Sequence, residues 1–267
     1  MAATEVRAEA REQRSTAARR LGALARAELT LLVRNKYALF TAVLMPPLMV
    51  AVIRSALDQA ALGGSGMSAL EGALTGGLAM MLVLVVYLNL TSAYVARREE
   101  LVLKRLRTGE VTDGEIMAGT AMSAVAPALA QSVLMVVAGT VLLDMPAPRR
   151  PELLVPALLA GIVLLAALAG LTAAFTRTTE SAQITTLPLL MVSAMGSGLF
   201  VPLETFPDTV ASVCELLPLT GVTTLIRAGW LGSGGGQGVL EAAVTTAAWV
   251  ILSGYAARRW FRWEPRR

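Results

Sequence analysis

Residues 97–115 read RREELVLKRLRTGEVTDGE and form a dense charged block in an otherwise apolar chain. Apolar runs flank the block at 72–95 and 116–143, and each run is long enough to cross a bilayer as a helix. Because so many charges cannot sit in hydrocarbon, the block must lie at a face of the membrane. The chain is therefore predicted to turn there, between two membrane spans.

The block itself has the pattern of a short amphipathic helix followed by the start of another helix. Glu100 and Lys104 form an i,i+4 pair, and three apolar residues share one helical face: Val102, Leu103 and Leu106. Gly109 is a typical helix stop, and Thr112 with Glu115 predicts a capping box that opens the next span. The pattern alone leaves an ordinary solvated loop open as the alternative.

The composition is typical of a polytopic membrane protein. Of 267 residues, 55% are hydrophobic, the mean hydropathy is +0.62, and the apolar residues fall in runs of about 20. We therefore expect an all-α fold. The only cysteine, Cys214, cannot form an internal disulfide. The absence of histidine excludes Ser–His catalysis and histidine metal sites, so no metal site is predicted.

The chain divides into a tail and a transmembrane domain. Residues 1–15 form a charged tail, and residues 16–267 form the domain. Within the domain, 16–35 predicts an amphipathic helix among lipid headgroups or, alternatively, a soluble extension of the first span. Six spans are predicted, at 38–57, 72–95, 115–143, 152–175, 182–203 and 239–258.

Positive charge alternates between the predicted connections. With the N-terminus inside, 19 of the 23 Lys and Arg residues lie on the inner side and four on the outer side. Cytoplasmic loops carry such an excess, so the charged block and both termini are predicted to be cytoplasmic. Arginine provides 21 of those residues, a bias that we expect of a high-GC bacterial genome. The Arg-rich N-terminal segment abuts a span and is expected to contact acidic lipid, not nucleic acid.

The connection 204–238 is too apolar for a free loop and too interrupted for a full span. We predict two short helices tucked into the outer half of the membrane, either at its face or as a re-entrant hairpin. Pro207 is expected in the first turn of one helix and Pro218 at its end, with a turn at Thr220–Gly221 before the second. Gly196 and Gly198 at the end of the fifth span leave room for close packing against this segment.

Polar residues inside the spans are the candidates for a transport pathway. No GxxxxGK[ST] phosphate loop occurs, so the chain is not expected to bind ATP by that route. No charged residue lies near a span centre, which argues against an ion-driven carrier and for an external energy source. The uncharged residues either line a path or form hydrogen bonds between helices: Asn89, Gln131, Gln183, Thr185 and Thr186.

Together these features resemble the membrane subunit, or permease, of ABC-2-type exporters, the group of bacterial drug, antibiotic and polysaccharide exporters. The resemblance covers the chain from about residue 16. It rests on the N-terminal amphipathic helix, six spans, the block RREELVLKRLRTGEVTDGEIMAG and the segment SGLFVPLETFPDTVASVCELLPLTGVTTLIRAGWLG. Its most specific positions follow the fifth span: Ser197, Gly198, Pro202, Leu217, Pro218, Leu219, Thr220 and Arg227.

The resemblance implies two sites. By this resemblance the block corresponds to a coupling helix that docks on a separate ATPase subunit. The docking residues would be Glu99, Glu100, Lys104, Arg105 and Arg107. The segment after span five becomes an outer gate that includes Pro202, Pro207, Leu217, Pro218, Thr220 and Arg227.

The resemblance also implies an assembly. Two permeases, identical or paralogous, form the export path, and ATP and Mg²⁺ bind the partner ATPase, so this chain is not itself an enzyme. The short outer connection looks like that of small-molecule (daunorubicin-type) exporters in the bacterial cell membrane. An exporter of polysaccharide or lipid-linked substrate remains an alternative, as does a non-transporting membrane anchor or immunity subunit. An intramembrane enzyme is disfavoured by the lack of histidine and of buried acids.

Overall fold

The computed structural model describes residues 67–107, 112–199, 206–232, 235–261 and Trp263, with isolated positions between Gly22 and Val52. The side chains of 67–69, Lys104 and Arg107 lie outside this description. Numbered from residue 67, the helices are α1 Met67–Leu82, α2 Asn89–Glu99, α3 Val102–Arg107, α4 Asp113–Leu142, α5 Pro151–Phe175, α6 Thr179–Gly196, α7 Asp208–Glu215, α8 Pro218–Leu231 and α9 Gly236–Trp260.

The described residues include four helices that are long and apolar enough to cross a membrane: Leu70–Glu99, Asp113–Leu142, Pro151–Phe175 and Gly236–Trp260. They coincide, to within about four residues at each end, with the predicted spans at 72–95, 115–143, 152–175 and 239–258. The predicted helix 16–35 and span 38–57 lie outside the described residues apart from isolated positions.

The predicted fifth span, 182–203, is only partly supported. The helix found there, α6, has 18 residues and ends at Gly196, seven residues before the predicted boundary. It begins with the polar sequence TESAQ, and it is not among the four spans found in the described part of the chain. A fifth span appears only if the bent pair α7 and α8 counts as one.

The first long helix contains a π-helical turn. Residues Val83–Leu88 join α1 to α2 without breaking the rod. Beyond this turn, the Asn89 amide donates to the carbonyl of Val85 at 3.2 Å. Such a turn inserts one extra residue and rotates the side chains that follow, and it is common at functional sites. The apolar sequence VLVVYL carries no signal for it.

Helix α8 is central in the fold. Eleven of its 14 residues are buried, which is unusual for a helix of this length at a membrane face. Three glycines allow the close approach of its neighbours. A Cβ on Gly229 would lie 2.6 Å from the Leu154 nitrogen of α5. A Cβ on Gly221 would lie 2.6 Å from the Ala242 carbonyl oxygen of α9. In the same way, a Cβ on Gly161 of α5 would lie 2.9 Å from the Val222 side chain of α8. Backbone therefore packs directly on backbone, and α8 runs antiparallel to α5.

The predicted details of the connection 204–238 are partly wrong. Two short helices are present and meet at 91°, as expected. However, Thr220 and Gly221 do not form a turn, because Pro218 occupies the first helical position, where its missing N–H and fixed φ favour a helix start. Pro207 is the N-cap of α7 and not part of its first turn. Helix α7 ends at Glu215, so Leu216 and Leu217 lie in the bend.

The ends of the described helices meet at two opposite ends of the bundle. The carboxyl ends of α2 and α5 meet where Arg98 contacts the carbonyl of Ala173, and the ring of Tyr94 packs on Phe261 just beyond α9. This end carries many arginines and is called the basic end below. At the opposite end, the N–H groups of Arg149 and Arg150 donate to carbonyls at the end of α8. The alternation of ends expected from the charge pattern is thus present.

Candidate functional site

Helix α3 lies at the basic end and is joined to α2 by a sharp turn at Leu101. Leu101 has φ 59°, in the left-handed region, which costs a leucine about 1 kcal/mol. Two backbone hydrogen bonds stabilise the turn. The N–H of Glu100 donates to the carbonyl of Ala96, and the N–H of Leu101 donates to the carbonyl of Arg98. The chain therefore leaves the long helix abruptly.

One face of α3 is anchored in the protein and the other is exposed. Leu103 is buried in the core, and Val102 and Leu106 are half-buried. Glu100 and Arg105 are exposed. A short helix is present in the block, at Val102–Arg107, and Glu100 lies outside it at the end of α2. The predicted role of this helix in docking stays a prediction.

Arg98 is the most deeply buried charged side chain at the basic end. Only 1% of its surface is exposed. Its guanidinium donates to the carbonyls of Ala173 at 2.8 Å, Thr176 at 2.5 Å and Arg177 at 3.4 Å. These carbonyls end α5, where a helix has no partners of its own for its last C=O groups and carries a partial negative charge. The arginine therefore caps α5 from a different helix.

Glu99, the next residue, faces α6. Its carboxylate accepts a hydrogen bond from the Thr179 hydroxyl and another from the Thr179 N–H, the latter at 3.4 Å. Thr179 opens α6, and its neighbour Thr178 forms a capping box with Ser181. A carboxylate at a helix N-terminus is favourable because the first N–H groups are unpaired and partially positive.

Arg98 and Glu99 thus hold the two sides of one turn, the α5–α6 connection, and we call this pair the clamp. Since α3 begins three residues after Glu99, the clamp links the exposed helix to the start of α6. In the structure the carboxylate of Glu99 contacts α6, and its predicted role in docking on a partner stays a prediction.

Arg98 was absent from the predicted site. A signal for it exists, because Leu90, Tyr94 and Arg98 follow one another at intervals of four residues and are all buried. That spacing places the arginine on the packed face of α2.

The start of α4 is also fixed at the basic end. Thr112 and Glu115 form the predicted capping box, with the Thr112 N–H donating to the Glu115 carboxylate at 2.7 Å. Arg97 donates to the Thr120 hydroxyl at 3.1 Å, one turn further along. Helix α4 is therefore held on the carboxyl end of α2.

Several of the predicted gate residues come together at the far end of α6. A Cβ on Gly196 would lie 2.5 Å from the Leu217 side chain and 3.4 Å from the Cys214 sulfur. The Thr220 hydroxyl donates to the Cys214 carbonyl at 2.6 Å, and the Arg227 guanidinium donates to the Gly198 carbonyl. Pro218 is buried, Pro207 caps α7, and Pro202 lies outside the described residues. The expected close packing at Gly196 is confirmed.

The predicted pathway residues are distributed over three helices. Asn89 and Gln183 are exposed, and Gln131 is buried on α4. The hydroxyls of Thr185 and Thr186 donate to carbonyls of their own helix, those of Ser181 and Gln183. This is the common structural use of threonine in an apolar helix, and lining of a path stays a prediction for all five.

The part of the chain that the structure describes is helical, with several apolar spans, a short helix at the basic end and a bent helical pair, as in a polytopic membrane protein. The family model described as ABC-2 type transporter matches residues 19–231, about four-fifths of the chain, and the protein belongs to this family. It is therefore a transmembrane component of an ABC transporter; members generally work with an ATPase partner and often dimerise. A search of curated proteins finds no match.

Proposed function

We propose that the chain is the membrane subunit of an ATP-driven exporter in a bacterial cell membrane, working as a dimer with a separate ATPase. ATP and Mg²⁺ bind that partner, so hydrolysis occurs outside this chain. The basic end faces the cytoplasm in this proposal, because 19 of the 23 Lys and Arg residues are predicted from the sequence to lie on that side. Arg105 of α3 and Glu100 of the turn before it are then presented to the ATPase.

The observation that carries the proposal is a continuous set of contacts from α3 to the opposite end of the bundle. Helix α3 is joined to the clamp, and Glu99 of the clamp contacts Thr179 at the start of α6. The far end of α6 packs on Leu217, and Gly198 just beyond it accepts from Arg227 of α8. A displacement of α3 by the ATPase therefore reaches the bent pair through α6.

The bent pair α7 and α8 acts as the outer gate in this proposal. Val222 lies level with Gly161, ten residues into α5, which places it about 15 Å from the start of that helix. Helix α8 therefore begins deep in the bundle and rises outward, as a re-entrant segment does. Backbone turned at such a depth is tolerated because α5, α6 and α9 surround it.

The size of the outer region supports the proposed substrate class. The connection between α6 and α9 consists of little more than α7 and α8, which leaves no room for a large outer binding domain. We therefore infer export of a drug, antibiotic or other amphipathic small molecule that partitions into the bilayer, as in daunorubicin-type exporters.

Reconstitution tests this proposal directly. The chain is co-purified with a stand-alone ABC ATPase that binds it, and the complex is placed in proteoliposomes with a panel of amphipathic fluorescent dyes. We expect ATP-dependent movement of at least one dye, and none when the ATPase carries a substitution of its catalytic glutamate. A stable complex that hydrolyses ATP but moves no dye faster than this control would instead indicate a non-transporting anchor.

A further inference from the structure

The two halves of the first long helix contact opposite ends of α6. In α2, the Glu99 carboxylate accepts from Thr179 at the start of α6. In α1, a Cβ on Gly76 would overlap the carbonyl of Leu199, so this half is packed tightly on the segment just beyond α6. A tilt of α6 moves its two ends in different directions. Helices α1 and α2 then have to turn against each other.

The π-helical turn Val83–Leu88 lies between these two halves. In a regular α-helix the Val85 carbonyl would accept a hydrogen bond from the N–H of Asn89. Here that N–H donates to the Val86 carbonyl, and the side-chain amide of Asn89 donates to the Val85 carbonyl at 3.2 Å. The side chain therefore takes the place of the backbone donor that the turn has diverted.

The turn also keeps both halves of the helix facing the bundle. Every fourth residue from Leu74 to Arg98 is buried. A four-residue spacing winds about 40° around an α-helix at each step, because one turn takes 3.6 residues. The extra residue of a π-helical turn takes back about 100°, wherever along the helix the turn lies. The turn can therefore move along the helix without changing the faces at its two ends.

Two side-chain hydrogen bonds mark the present position of the turn. The hydroxyl of Tyr87 is bonded to that of Thr172 in α5 at 3.0 Å, and the Asn89 amide is bonded to Val85. A residue that the moving turn passes rotates by about 100°, which would carry Tyr87 away from α5. Both bonds therefore hold the turn in the position seen in the structure.

We propose that this turn is a joint at which α2 twists against α1 during transport, and that Asn89 is the positioning residue that holds its resting position. The joint rests on the proposed function, in which the ATPase moves α3 and, through the clamp, α6. Helix α2 follows the clamp, and α1 follows the gate through Gly76. The long helix thus stays folded while its two halves change their relative orientation.

The variant Asn89→Leu removes the amide that holds the resting position. Its effect is measured at the gate, as the labelling rate of the only cysteine, Cys214, with an impermeant maleimide. In the membrane subunit alone, we expect this rate to shift about fivefold toward that of the parent complex trapped with ATP, the factor of one hydrogen bond. Thr140→Val, which removes a hydroxyl-to-carbonyl bond within α4, should keep the parental rate.

Deletion of Leu84 removes one residue from the turn and converts it to α-helix, with both buried faces kept. The Leu84 side chain is exposed, so the core loses no contact. The complex with this variant should assemble and hydrolyse ATP, but its Cys214 labelling should no longer change with nucleotide. Deletion of Val163, an exposed residue of the regular helix α5, rotates all later residues of that helix by about 100° and should abolish folding.

The outcomes separate the joint from the proposed function. A parent complex and a Leu84 deletion that respond equally to ATP would overturn the joint and leave the proposed function standing. A parental labelling rate in Asn89→Leu would overturn the joint too. So would a Leu84 deletion that misfolds as the Val163 deletion does, because the residue was then not an extra one. A parent complex whose labelling ignores ATP would overturn the proposed gate, and the joint with it.

Discussion

At the scale of single residues, Arg98 shows how a charge is held inside a membrane protein. Desolvating a guanidinium is unfavourable unless its donors find acceptors. Three carbonyls at the end of α5 provide them, and those carbonyls in turn have no helical partners of their own. The arginine and the helix end therefore stabilise each other.

This geometry predicts that Arg98→Lys destabilises the fold. Lysine keeps the charge but replaces a planar fork of donors with a single ammonium, which cannot reach all three carbonyls. We expect a loss on the order of 2 kcal/mol, seen as a lower midpoint of thermal unfolding in detergent. Arg177→Lys is the matched control, because its side chain is exposed. Equal midpoints for the two variants would contradict the assigned role of Arg98.

Gly76 is a second residue whose close packing leaves no space for a side chain. A Cβ there would lie 1.8 Å from the carbonyl oxygen of Leu199, the residue after Gly198. Gly76→Ala must therefore push α1 away from the end of α6, at a cost of about 1–3 kcal/mol. Gly72→Ala, one turn earlier, meets nothing within 4 Å and should be neutral or stabilising by up to about 1 kcal/mol. The difference in thermal midpoint checks this, and the reverse order would contradict it.

At the scale of elements, patterning predicted the existence of helices better than their ends. The capping box at Thr112 and Glu115 was predicted correctly because both partners are local in sequence. The turn at Thr220–Gly221 was wrong, since Pro218 starts α8 and the Thr220 hydroxyl is satisfied by the Cys214 carbonyl across the bend. The clamp could not be derived, because contacts such as Glu99 to Thr179 join residues 80 positions apart.

The bent pair offers a direct probe at this scale. Cys214 on α7 is 8% exposed and packs toward Gly196, so an impermeant maleimide added outside should label it slowly in the resting protein. The rate should change when the ATPase is trapped with ATP. The double variant Ser212→Cys/Cys214→Ser moves the thiol to an exposed position of the same helix and should react faster. Fast labelling of Cys214 that ignores nucleotide would show a surface loop and not a gate.

At the scale of the whole molecule, the charge asymmetry predicts which end faces the cytoplasm. A reporter active only in the cytoplasm should give signal when fused after residues 36, 108 and 267, and none after residue 147 in the connection between α4 and α5. A silent fusion after residue 108 would place α3 and the clamp outside the cell, where no ATPase could act on them.

Across the whole molecule, movement of the ATPase is transmitted through α3 and the clamp to the gate. The claim assigns different tasks to neighbouring residues. Glu100→Lys or Arg105→Glu should weaken docking, so that less ATPase co-purifies with the membrane subunit. Glu99→Ala should leave docking intact, since its carboxylate faces Thr179, but should remove the direct contact between α6 and the clamp and weaken its coupling to α3.

The most direct test is the amount of dye moved per ATP hydrolysed by the reconstituted complex with Glu99→Ala. The account predicts hydrolysis near the parental rate with transport lowered at least about tenfold, a factor that corresponds to about 1.4 kcal/mol of coupling. Glu152→Ala, an exposed glutamate at the opposite end of α5, should keep the parental ratio. A parental ratio of transport to hydrolysis in Glu99→Ala would contradict the account.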